Sequence, residues 1–546
     1  MTRLATYWHT VRYLKAGQLY GRVAARMRRV RPDLRPPPPL RPVSGEWAEP
    51  ARRKPSLVGP AEFRLLNECH SVDANGWDDP ELERLWRYNL HYFDDLNAED
   101  AGERRPWHAA LLARWVRENA PGAGTGWEAY PTSLRIVNWI KWTLAGNRLP
   151  PECLHSLAVQ ARWLSQHIET HLLGNHLLSN AKALMFAGLV FQGPEAQAWT
   201  DTAAAIFDDQ IGEQILDDGA HFERSTMYHA LAFEDVLDLM NVMQAFAREL
   251  PLDARAIGDR LRARAPAMGA WLTAMCHPDG DIAFFNDAAF GVAPAPAELR
   301  AYAARLYIQV GEPADTLHFV ESGYARACRG PAVLLFDVAP VGPDYLPAHA
   351  HADTLSFELS LFGQRLFVNS GTSCYGSSPE RVRQRGTAAH NTVVVDGQDS
   401  SEVWGGFRVA RRAHPQGLSI TSAGETFDLS CAHDGYARLR GRPAHKRRWT
   451  FGATRMVVED ELRGRYSRAQ ARYHLHPAVR VSDASSNALA LHVGDRRVHF
   501  SVRGARLRRE RSTWHPQFGG TEPNECLAVD FDGPSVQTTV EWSNAT

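Results

Sequence analysis

A chain of 546 residues is longer than one hydrophobic core supports and calls for two or three domains. Its hydrophobic content of 44%, charged content of 23% and formal net charge of -1 are those of an ordinary globular protein and give no ground for a nucleic-acid partner. Seven scattered cysteines, odd in number and without a C-x-x-C pair, argue against a disulfide framework and a structural zinc knuckle, and no apolar run reaches the ~18 residues of a membrane span.

The first segment carries Arg3, Arg12, Lys15, Arg22, Arg26, Arg28, Arg29 and Arg31, with no acid before Asp33. It lacks a continuous apolar core and a small-residue cleavage site, so it does not read as a secretory signal peptide, and a cytoplasmic location is expected. Such a basic helix either lies peripherally on a membrane surface or packs on its own protein. Pro36 to Pro39 then interrupt it as a stiff spacer, so 1–55 is expected to be a helix and linker. From Asp79 the spacing predicts helices near 80–97, 106–119, 131–146, 152–168, 176–192, 198–217, 225–249, 253–276 and 297–311, separated by Gly, Pro or Asp breaks. A region 56–315 of many helices with short connections is either a bundle or an α/α toroid.

Near Thr316 short alternating runs take over, at 332–338, 354–361, 365–369, 391–395, 419–421, 448–451, 454–459, 473–475, 489–493 and 498–502. Region 316–546 is therefore expected to be a stack of antiparallel sheets, and the cleft between it and the helices a ligand site. Sixteen tryptophans and fifteen tyrosines suit either a sugar-binding cleft or a core. At the head of one run stand His349, His351 and Asp353 in alternation, followed by Asn369 and His390. If this run is a strand, the three share one otherwise apolar face, where imidazoles need partners or a metal.

Two helix starts are candidates to face that cleft. His171-Leu172-Leu173-Gly174-Asn175-His176 ends one helix and opens another, with Asn175 suited to cap it; Ser225 suits the cap of the next, placing Tyr228 in its first turn. The positive end of a helix favours an anion such as a carboxylate or a transient tyrosinate. Glu234 and Asp235 lie more than a turn beyond Tyr228 and are better read as a helix face than as a hydrolytic pair. Arg381, Arg383 and Arg385 bind a polyanion or are surface charge, and Trp404 stacks on a sugar ring or packs.

Leu85-Trp86-Arg87-Tyr88-Asn89-Leu90-His91, Gly174-Asn175-His176-Leu177-Leu178-Ser179-Asn180, Phe222-Glu223-Arg224-Ser225-Thr226-Met227-Tyr228-His229, His349-Ala350-His351-Ala352-Asp353 and Thr387-Ala388-Ala389-His390-Asn391-Thr392 together resemble the heparinase II/III-like polysaccharide lyases, relatives of alginate lyases. The resemblance implies an α+β multidomain fold, an incomplete α/α toroid followed by an antiparallel β-sandwich. It implies β-elimination at a uronic acid of an acidic polysaccharide. Asn175, with His176 beside it, would neutralise the uronate carboxylate; Tyr228 and His349 would move protons, with Tyr375 as a further proton-transfer candidate. Arg383, Arg385 and Trp404 would bind substrate. A tyrosine needs cationic or dipolar help to act as a base at neutral pH.

The family's zinc site would use His351, Asn369 and His390, where Asn369 stands in place of the usual Asp, and an amide oxygen is a poorer zinc ligand than a carboxylate. Geometry disagrees too: with a two-residue turn at Gly363-Gln364, Asn369 faces Glu358, roughly 23 Å along a straight strand from His351, unless the chain bends before Leu355. Uronyl C5-epimerisation and non-catalytic glycan binding in polysaccharide biosynthesis are the competing readings.

Overall fold

The computed structural model describes residues 3–28 and 30–543. All nine predicted helices are present with ends displaced by a few residues, and they pack in two rows. Arg84–Tyr92, Ala129–Leu144, Gly174–Val190, Thr226–Ala245 and Pro296–Arg305 form one row, each touching the next; Arg105–Glu118, Pro151–Ser165, Pro194–Gln214 and Leu252–Ala274 form the other. Proline in the first turn opens four of these helices, where its missing N–H costs nothing. Gly174–Val190 is apolar on nearly all sides because it is covered from both rows.

The basic segment is two helices, Arg3–Val11 and Ala16–Met27, where a single helix was expected; Arg29 lies outside the described residues. The proline-rich stretch after it is no free spacer. It runs across the ends of two helices and satisfies their last carbonyls: Arg41 donates to Val190 O at 2.7 Å, and Ser44 and Gly45 donate to Ala245 O at 3.0 and 2.9 Å. A small three-stranded sheet, Leu57–Gly59, Glu62–Leu65 and Glu68–Ser71, follows where the sequence suggested only connection.

The switch to strands falls at Thr316. A five-stranded antiparallel sheet runs in sequence order through Thr316–Phe319, Tyr324–Arg329, Ala332–Asp337, Phe357–Leu361 and Gln364–Phe367. An eight-stranded and a four-stranded antiparallel sheet follow, and all three share one apolar core around Phe357, Trp449, Tyr473 and Phe500. This matches the expected stack. Several strands beyond those expected, such as Thr426–His433, carry the buried/exposed alternation of a one-sided strand.

The two halves are continuous. Val368, Trp514 and Phe518 of the β half join the apolar core of the helical half, and the buried Arg365 pairs with Asp279 at 2.6 Å while donating to Ile282 O at 3.1 Å. The connection 276–295 between the last two helices is thereby held against the sheets. The site is built on it.

Candidate active site

The His349–Asp353 stretch is not a strand, which corrects the expectation of a shared strand face. Pairing begins only at Phe357, and Leu355 sits at φ 64, so the chain turns before it enters the sheet. Ser356 N–H donating to Asp353 O at 2.8 Å closes that turn. The histidines converge instead because the segment wraps around Asn286 and Asp287. His351 N–H donates to the Asn286 side-chain oxygen at 2.9 Å, and Asp287 N–H donates to His349 O at 3.0 Å.

Asp287 is the hub of the site. Fully buried, it accepts from His349 Nδ1 at 2.9 Å, His351 Nε2 at 2.8 Å, Thr372 Oγ1 at 3.2 Å and both terminal nitrogens of Arg381, one at 2.7 Å. Burial would raise its pKa, but Arg381 and the two imidazoles hold it well below the usual carboxylate range. Sequence reading missed Asp287. Its only signal was a charge inside the apolar run Phe284-Phe285-Asn286-Asp287-Ala288-Ala289.

Since a carboxylate only accepts, His349 donates from Nδ1, and in the neutral ring Nε2 is then the lone-pair atom. That nitrogen lies 3.5 Å from Glu223, a second group the sequence reading passed over. Burial raises the Glu223 pKa, and the Asn175 backbone N–H faces its carboxyl. The Tyr228 ring stacks on His349 at 3.8 Å, and the Tyr228 and Tyr375 hydroxyls are 2.9 Å apart. Burial and the neighbouring tyrosine push the Tyr228 phenol well above its usual value, and burial does the same to Tyr375. Arg381 stands over the Tyr375 ring at 4.9 Å with its charge engaged by Asp287.

Both helix starts meet this cluster. Ser225 caps Thr226–Ala245 as expected, accepting from Tyr228 N–H at 3.0 Å while its own hydroxyl donates to Asp287 O. Asn175 does not cap. Gly174–Val190 opens two residues earlier, after Leu173 at φ 64, and the half-exposed Asn175 amide makes no hydrogen bond among the described residues. A donor free for a ligand suits a carboxylate site better than an occupied cap. His176 packs on Tyr130 with tilted rings 4.4 Å apart and lies 3.2 Å from Glu169; burial would lower its pKa, but that carboxylate raises it.

The proposed substrate contacts fare differently. Arg385 is fully buried and donates to Ala350 O at 3.0 and 2.8 Å; burial and Arg381 bring it down to about 9. It props the histidine segment and has no face left for a polymer, which corrects that assignment. Trp404 donates to Thr10 Oγ1 at 3.0 Å and meets Tyr7 edge-on at 5.0 Å, so its ring packs on the first helix. Arg383, half-exposed, is bound to Glu380 at 2.6 Å and Thr513 at 2.8 Å.

Of the expected metal ligands, His351 and His390 come together, with their nearest nitrogens 3.2 Å apart. The Asp353 carboxylate lies with them, the three groups' ligand atoms being within 4.8 Å of one another. Asn369 is committed elsewhere: its side chain accepts from Asn391 N–H at 3.1 Å and donates to Phe284 O at 3.0 Å, and its backbone donates to Glu358 at 2.6 Å. Because Asp287 accepts from His351 Nε2, Nδ1 is the atom free to ligate. Two imidazoles and a carboxylate are a donor set that fits a zinc-type ion.

Residues 97–303 match the family model for the heparinase II/III N-terminus, and residues 311–543 match that for the heparinase II/III-like C-terminal domain. The chain belongs to the heparinase II/III-like family. It is similar to FtsZ-localized protein C of Caulobacter vibrioides, 27% identical over 76% of this chain and 73% of that protein. It is also similar to the heparin-sulfate lyase of Pedobacter heparinus, 24% identical over 45% of this chain but only 40% of that enzyme. Among solved structures, heparinase III shares its fold with a TM-score of 0.69 at 18% identity, over 87% of this chain and 81% of that one.

Proposed function

We propose that this protein is a polysaccharide lyase that cleaves a uronate-containing acidic polysaccharide by β-elimination. The observation that carries the reading is His349, held by Asp287 through Nδ1 with Nε2 turned toward Glu223, and stacked at 3.8 Å on Tyr228, whose phenol burial pushes well above its usual value. That pairing divides the proton transfers. His349 Nε2 takes the C5 proton, the C5–H electrons form the C4–C5 double bond as the C4–O4 bond breaks, and the Tyr228 hydroxyl protonates O4. Tyr375, bonded to Tyr228, returns a proton to it. The free Asn175 amide would offset the uronate charge, beside the Glu223 carboxyl whose pKa burial raises, which makes the C5 proton acidic enough to leave. The heparin-sulfate lyase likeness supports the substrate class.

In the same reading the two rows of helices are an incomplete α/α toroid, and a zinc-type ion is held by His351, Asp353 and His390. All three are buried. Such an ion would tie the histidine segment to His390 and play no part in the elimination.

The test is turnover of a panel of glycosaminoglycans, alginate and bacterial exopolysaccharides, followed at the absorbance of the unsaturated uronyl product. Product formation by the native protein with loss in His349→Ala supports the reading; unchanged turnover in that variant refutes the role of His349. Solvent deuterium entering C5 without chain cleavage would select epimerisation. A second reading is a glycan-binding member without turnover. Binding of an acidic polymer with no product, unaltered in Tyr228→Phe, would select it.

A further inference from the structure

The two N-terminal helices leave an unusual amount of apolar surface in water. Leu4, Tyr7, Trp8, Val11, Leu19, Tyr20, Val23 and Met27 are eight of the seventeen large apolar side chains exposed among the described residues, from Leu4 at 81% to Val11 at 43%. They are ordered. At 100° per residue, Leu4, Tyr7, Trp8 and Val11 fall within about 100° of one another, and so do Leu19, Tyr20, Val23 and Met27. In a globular protein such stripes face the core, yet these face outward, because the opposite sides are already engaged. Thr10 accepts from Trp404 at 3.0 Å, the buried Gln18 donates to Tyr345 O at 3.2 Å, Lys15 stands over the Tyr345 ring at 3.8 Å, and Arg412 stands over Tyr13 at 3.9 Å.

The charge carried by this segment itself is of one sign. Arg12, Lys15, Arg22, Arg26, Arg28 and Arg31 are exposed, and no acidic residue occurs before Asp33. Of these only Lys15 forms an ion pair among the described residues, with Glu213 at 2.5 Å. A second copy of the chain would bring another cationic patch against this one and repel it. An anionic lipid surface offers what both features need: hydrocarbon for the stripes and phosphate for the guanidinium groups.

We infer that the helix pair Arg3–Val11 and Ala16–Met27 is a membrane-surface anchor that lies in the headgroup layer of an anionic bilayer. Its position gives this a consequence for the cleft. Tyr345, held by Lys15 and Gln18, adjoins Leu346, which packs so closely on Gly174 that an added Cβ there would come within 2.4 Å of it. Gly174 opens the helix that presents Asn175 and His176. Binding to lipid would set the cleft rim next to the bilayer, where a polymer leaving or lining the membrane is met.

The experiment is flotation of the full chain with vesicles of phosphatidylcholine alone or mixed with phosphatidylglycerol. Binding is expected to the mixed vesicles, to fall in high salt, and to be at least about tenfold weaker to phosphatidylcholine alone or in an Arg22→Glu/Arg26→Glu variant. A Leu4→Asp/Trp8→Asp/Val23→Asp variant should lose flotation while keeping the native melting temperature, since all three side chains are exposed. Absence of flotation by the native chain, or flotation unchanged in the aspartate variant, would overturn the inference. So would a native dimer that ignores vesicles and that the aspartate variant dissociates, which would assign the stripes to a second copy.

Discussion

Asp287 shows how much chemistry one residue can organise. With one carboxylate it accepts from Nδ1 of His349 and Nε2 of His351 and neutralises Arg381. Replacing Asp287 by Asn leaves a buried guanidinium without its counter-charge, and a loss of about 3–5 kcal/mol is expected in a denaturant melt. A loss below about 1 kcal/mol would mean the Arg381 charge is compensated by another group. Tyr228→Phe removes only a hydroxyl from a stacked ring, so the fold should persist while turnover falls by about 10²–10⁴-fold. Retained unsaturated-product formation in that variant would assign O4 protonation elsewhere. Sequence pattern pointed to Tyr228, His349 and Asn175. It could not find Asp287, because a lone aspartate in a connection between helices has no periodicity to mark it.

At the scale of the element, the start of Thr226–Ala245 is the piece on which the tyrosine depends. Ser225 both caps it and ties it to the Asp287 carbonyl, so Ser225→Ala should cost about 1–2 kcal/mol by thermal denaturation and lower turnover with it. The same turn has a pH dependence. His229 accepts from His221 N–H at 3.1 Å and donates to Met268 O at 2.9 Å, an arrangement only the neutral ring can make. Burial lowers His229 to about 4 and His221 to about 3, from ordinary values of 6.5. A depressed histidine contributes its full stability above 6.5 and loses it as pH falls toward the folded value, because the unfolded chain takes up the proton first. The melting temperature should therefore drop steadily from pH 7 to pH 4.5, with a shallower slope in His229→Gln. An identical slope in both proteins would locate the acid sensitivity elsewhere. The nine helices were legible because amphipathic spacing and first-turn prolines are local signals. The bend at Leu355 entered only as one of two ways to reconcile the metal spacing and has no local signal of its own, since a leucine at positive φ is imposed by what surrounds it.

For the whole molecule, the question is how two halves act as one. Arg365 ties a β-strand to the loop that carries Asp279 and Ile282, and the apolar core crosses the same boundary through Val368, Trp514 and Phe518. Arg365→Ala should cost about 2–3 kcal/mol and separate the melting of the halves in calorimetry. A single, unshifted transition would show that apolar packing alone couples them. Metal content offers a second check at this scale. The native protein is expected to carry about one equivalent of zinc by elemental analysis, Asp353→Asn to carry much less, and Asn369→Ala to keep it; the reverse ranking would return the ligand role to Asn369.

Composition, helical periodicity and the alternation of apolar residues were enough to divide this chain into a helical half and a β half, and motif spacing was enough to nominate Tyr228, His349 and Asn175. Those are properties of neighbours in the chain. What only the tertiary structure decided was which residues meet across it: that Asp287 gathers the histidines, that Asp353 joins His351 and His390 while Asn369 is bonded to Asn391 and Phe284, that Arg385 is a buried prop, and that the first two helices turn their apolar sides to the solvent. Each depends on segments distant in sequence being pressed together, where burial and charge pairing set the outcome and local pattern carries no record of it.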